Sequence, residues 1–113
     1  MSTSIVRAFL AHAAETDLPI SRDAAIRMKQ AEINEIRAAR LGSDAIEAAR
    51  VKSVGVCKKV VTDHYTDGLN DLEFITDAMR VLADAWGKGI EKVDLPESVK
   101  LANSELLAWR KTL

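Results

Sequence analysis

Cysteine is nearly missing from this chain. Cys57 stands alone, which excludes an intrachain disulfide and suits a reducing compartment. Proline occurs twice and glycine five times, so long stretches contain no helix breaker. Aromatic rings are few: Phe9, Tyr65, Phe74, Trp86 and Trp109 are the whole set. A core built with so few rings must be filled by Ala, Val, Ile and Leu, which suits close helix packing. Excess charge of one sign is lacking too, with 16 basic against 17 acidic residues and a net charge of −1. A general nucleic-acid-binding domain is usually strongly basic. No window approaches the roughly eighteen apolar residues of a membrane span, and the stretch around Arg7 has no apolar signal core. The expected address is therefore the cytoplasm, with no membrane partner.

What is present describes a folded domain. The 113 residues suffice for one domain, 1–113, and the 48% apolar and 29% charged composition is that of a globular chain. Charge is unevenly placed along it. Residues 21–64 carry nine basic and six acidic side chains, net +3, while residues 65–95 carry three and seven, net −4. Such segments either face each other or pair with a second copy.

Helical periodicity dominates. Ile5, Phe9, His12 and Ala13 recur at spacings of three and four, with Ser2, Thr3 or Ser4 as cap. A second helix opens at Ser21, with Asp23 in its first turn, and runs toward Gly42 as a C-terminal glycine with Arg40 in the last turn. Ala24, Ala25, Met28, Ala31, Ile36 and Ala39 form one broad face, and Ile26 and Ile33 lie nearly opposite among Arg22, Lys29, Arg37 and Arg40. Ser43 opens a third helix with the stripe Ile46, Ala49, Val54, Cys57, Val60, Val61 and His64. Its centre, Val51 to Val61, is β-branched and contains Gly55, so it also reads as a strand. Strict alternation fails at Lys58-Lys59 and Val60-Val61, and the helical reading prevails.

A fourth helix has two stripes: Leu72, Ile75, Met79, Leu82 and Trp86, and Phe74, Ala78, Val81 and Ala85. Thr66-Asp67-Gly68 looks like a turn, yet the apolar spacing passes through it. Residues 43–87 are thus two helices or one long bent helix. Pro96 opens a last segment whose Leu95, Val99, Ala102, Leu106, Trp109 and Leu113 alternate by four and three, a seam that needs a partner helix. The fold class is all-α, a single-domain bundle of four to five helices.

Catalytic chemistry finds little support. The residues three before His12 and His64 are Phe9 and Val61, so the Glu-x-x-His pattern of a di-iron bundle is missing. Glu32 and Glu35 fall on the small-residue face of the second helix, where pairing with nearby Lys or Arg is the simpler reading. Cys57 and His64 share a helical face but stand about 10 Å apart along the axis, too far for direct activation of the thiol. Gly87-Lys88-Gly89 lacks the preceding strand of a phosphate loop. No catalytic, metal or cofactor residue is expected, and the chain does not read as an enzyme.

Two binding readings remain. Ala38-Ala39-Arg40-Leu41-Gly42 resembles the close of the first helix in a helix-turn-helix, although Ser43 and Ala48 stand where that motif packs apolar residues. That resemblance implies a DNA-binding regulator or packaging component using the basic 37–59 region, with Arg37, Arg40, Arg50, Lys52 and Lys59 on phosphates. The leading expectation is instead a small interaction or assembly protein: an adaptor, an inhibitor or a structural homo-oligomer. Doubled apolar stripes exceed what one small bundle needs, and Phe74, Val81, Leu106, Trp109 and Leu113 are the expected interface.

Overall fold

A computed structural model describes residues 4–64 and 72–89, with only the backbone of Leu72 and Glu73. The C-terminal seam with Leu106, Trp109 and Leu113 lies outside the described residues. Four helices form the bundle: α1 (Ile5–Glu15), α2 (Arg22–Ala38), α3 (Ser43–His64) and α4 (Leu72–Trp86). No strand occurs among the described residues, so the β-branched run Val51 to Val61 is helical. No described helix is long and apolar enough to cross a membrane.

Each helix end has an identifiable cause. Ser4 has extended backbone and its hydroxyl accepts from the Arg7 N–H, a local N-cap. Glu35 of α2 completes that cap from outside. Its carboxylate accepts from the Ile5 N–H at 3.1 Å and from the Ser4 hydroxyl at 3.2 Å, placing negative charge at the positive end of α1. At the other end, Asp17 adopts the left-handed conformation (φ 55°), and the Leu18 N–H reaches back to the Ala13 carbonyl. Leu18 is itself buried, the hydrophobic contact that accompanies a Schellman turn. Ser21 caps α2 through the Ala24 N–H at 3.1 Å.

The end of α2 differs from the sequence-based expectation. The helix stops at Ala38, and two i→i+3 hydrogen bonds, Arg40 to Arg37 and Leu41 to Ala38, tighten the chain beyond it. Gly42 (φ 116°) therefore belongs to the next helix: its carbonyl accepts from the Ile46 N–H and opens α3, and Ser43 is the first helical residue. The end of α4 is a second Schellman turn. Gly87 (φ 80°) donates to Asp84, and Lys88 donates to Ala83.

The alternative of one helix over 43–87 is excluded by contacts that close a large loop. Arg50 near the start of α3 donates to the Ala85 carbonyl near the end of α4, and Glu47 meets Trp86 and Lys88. Residues 35 to 41 positions apart can meet this way only if α4 runs back along α3.

Packing then fixes the corners of the bundle. α1 touches all three other helices, α3 does the same, and α2 and α4 do not touch each other among the described residues. The core is Ile5, Val6 and Phe9 of α1 with Met28, Cys57, Val61, Met79 and Leu82, all fully buried. Burying each of the larger side chains contributes about 1.5–3 kcal/mol. On α2 the buried line is Ala24, Met28, Ala31 and Ala38, spaced by four, three and seven. Ile36 stands about 125° off that line and is exposed, as are Ala25 and Ala39, so the broad face read from the sequence is narrower in the fold. On α4, Ile75, Met79 and Leu82 are buried, Ala78 joins them, and Val81 and Ala85 are half-buried.

Glu35→Ala should remove two hydrogen bonds at the start of α1 and lower stability by about 1–2 kcal/mol, read as a shift of the urea midpoint. An unchanged midpoint would show that the cap is replaced by solvent without loss.

Candidate functional site

The ionisable groups inside the bundle are occupied with structural partners. Glu32, buried on α2, accepts from the Arg7 guanidinium at 2.7 Å, with Lys29 at 3.9 Å. Glu35 caps α1. No group of three metal-ligating side chains occurs among the described residues. Cys57 is fully buried, and burial, with the nearby Glu35 charge adding to it, pushes its thiol up to about 12. A thiol held this way is a packing group rather than a nucleophile. Ser53 is also fully buried, and its hydroxyl finds no hydrogen-bond partner among the described residues.

One polar cluster ties the end of α4 to α3. Lys88 donates to Glu47 at 2.6 Å and stands 4.4 Å from the centre of the Trp86 ring, whose indole N–H lies 3.4 Å from the same carboxylate. The hydrogen bond from Lys88 holds the Glu47 carboxyl below its ordinary value; partial desolvation opposes this and the Trp86 hydrogen bond adds to it. A depressed folded value means that the cluster's stabilisation is present above the unfolded pKa of about 4.5 and is lost as pH falls through the folded one.

The sequence-predicted interface residues divide. Phe74 is 48% exposed on α4, and Val81, two turns further along the same face, is half-buried. The nucleic-acid candidates divide as well. Arg37, Arg40, Lys52 and Lys59 are exposed, but Arg50 is 8% exposed and its guanidinium satisfies a carbonyl that the end of α4 leaves without a helical partner. Arg50 is therefore part of the fold and presents little of its surface to solvent.

Two surface features unite residues that the sequence left apart. At the α2–α3 corner, Ser4, Glu35, Ile36, Ala39, Ile46 and Arg50 line a cleft of about 210 Å³. Ile36 is 58% exposed there, and Leu41, in the connecting turn, is 77% exposed. Ile26 and Val51 are also largely exposed. The second feature is a groove of about 410 Å³ between α2 and α3, with Ala31, Gly55 and Val56 as its floor and Arg27, Lys52 and Lys59 at its rim. Arg37 and Arg40 do not line it. Neither surface could be found from one helix's periodicity, because each combines residues of α2 and α3.

No protein-family model, no curated protein and no solved structure matches this chain.

The state of Cys57 gives a direct check. Iodoacetamide at pH 8 should leave the folded protein unmodified and label it once it is denatured, because a thiol at about 12 is almost wholly protonated there. Stoichiometric labelling under native conditions would contradict the buried placement.

Proposed function

We propose that this chain is a small helical interaction protein that works by pressing apolar helix faces against a protein surface, a second copy of itself included. The observation that carries this reading is the corner cleft that Ile36, Ala39 and Ile46 line, with Ile36 58% exposed in it; Leu41, in the turn that joins α2 to α3, is exposed as well. Isolated apolar side chains on a surface are ordinary, whereas apolar side chains grouped at a concave site are the form that a partner's anchor residue fills. The cleft's polar side, Glu35 and Arg50, is already engaged in the fold, which leaves the apolar side as the part able to bind. The C-terminal seam of Leu106, Trp109 and Leu113 supplies further apolar surface in sequence terms. A reducing compartment such as the cytoplasm suits the free Cys57. The proposal assigns no catalytic role and no cofactor.

A second reading, a nucleic-acid-binding regulator or packaging component, draws on one observation: Arg37, Arg40 and Lys52 are exposed and make no ion pair among the described residues. Near-neutral total charge and the burial of Arg50 weigh against it. A mobility shift with duplex DNA at low salt, lost in Arg37→Glu with Arg40→Glu, is its expected outcome; no binding at low salt ends it, since phosphate contacts are strongest there.

For the leading reading, sedimentation equilibrium of the full chain should give a concentration-dependent mass above 12.4 kDa. Ile36→Asp with Leu41→Asp should weaken the association by about tenfold or more while leaving helicity intact, since both side chains are exposed. A wild-type particle of 12.4 kDa at every concentration would contradict self-association.

A further inference from the structure

We infer that the groove between α2 and α3 seats the outer face of α4 from a second copy of this chain. The inference rests on the interaction reading above and adds to the corner cleft a second surface with a named occupant.

The first observation is Gly55. It lies in the middle of a 22-residue helix, its backbone is ordinary, and a Cβ built on it would meet nothing within 4 Å. Alanine at such a position is favoured by about 1 kcal/mol, so nothing in this chain's packing asks for glycine. What a glycine provides on a groove floor is room for another backbone to come close. Ala31 and Val56 beside it keep the floor low and apolar.

The rim supplies the second observation. Arg27 and Lys52 make no ion pair among the described residues, and Lys59 has only the exposed i,i+4 partner Asp63 at 3.1 Å. Three cations around an apolar floor fit a helix that is apolar along one line and acidic along the next. The outer face of α4 has that pattern: Phe74, Asp77, Val81 and Asp84 follow at spacings of three, four and three. Asp77 holds only Arg80 at 3.3 Å in the open, and Asp84 makes no ion pair among the described residues. The segment charges agree, net +3 over 21–64 and net −4 over 65–95.

The chain's own α4 cannot serve. It packs on α1 and α3 and does not touch α2, so it sits across the bundle from a groove that α2 helps to form. A second copy can, and a two-fold arrangement places each α4 in the other's groove, making both contacts at once.

The test is a charge swap on the full chain, read by sedimentation equilibrium. Lys52→Glu and Asp84→Lys should each weaken association by about tenfold or more, and the double variant should recover most of it. Gly55→Leu should also dissociate the assembly while circular dichroism and thermal stability stay those of a folded helical protein. Should Gly55→Leu fail to fold, the charge pair decides alone, because both side chains are exposed. Wild-type association that survives Lys52→Glu unchanged overturns the groove but leaves the interaction reading standing. A swap that fails to restore association overturns α4 as the occupant. A monomeric wild type overturns both readings. Duplex DNA binding abolished by Lys52→Glu would assign the rim to phosphates and also overturn the inference.

Discussion

The bundle depends on α1 being buried along its length. Ile5, Val6 and Phe9 have no exposed surface, and this eleven-residue helix touches all three of the others. A helix so short is marginal by itself in water, so its stability comes from the apolar line it buries. Burial is also what makes its polar ends demanding, because a helix terminus inside a bundle needs partners for its free N–H groups. Glu35 answers that need from α2, and Arg7 returns the contact to Glu32 one turn away. The two glutamates of α2 are thus reserved for docking α1.

A matching tie works at the opposite corner. Arg50 and Glu47, three residues apart on α3, hold the carbonyl end of α4 and the Trp86–Lys88 pair that follows it. Between them these polar contacts set which helix lies where, while the apolar core supplies most of the favourable energy. Glu32, Glu35, Glu47 and Arg50 are committed internally, and on the exposed side of α2 and α3 Arg27, Arg37, Arg40 and Lys52 make no ion pair among the described residues.

Much of this was legible in the sequence. The Ser21 cap, the core line of α4 and the helical state of the β-branched run all follow from periodicity and local chemistry. Where the reading departed from the fold, the reason lies in geometry that one helix does not contain. Ile36 reads as core because it falls within a broad small-residue arc, yet α1 and α3, the helices packed on α2, leave it in an open cleft at the corner. Gly42 reads as the end of α2, but the tightened turn at 39–41 moves it to the start of the next helix. Arg50 reads as a phosphate contact on a basic stretch, and only the return of α4 shows that a carbonyl 35 positions away claims it. Gly55 reads as a blemish in α3 and gains meaning only when α2 supplies the other wall of the groove.

The central claim is that the faces left open on α2, α3 and α4 are used between chains. Hydrogen exchange followed by mass spectrometry at low and high protein concentration tests this most directly. Peptides covering 50–60 and 74–85 should gain protection as concentration rises, while those of α1, already enclosed, should not change. Exchange that is the same at every concentration across all four helices would contradict the account.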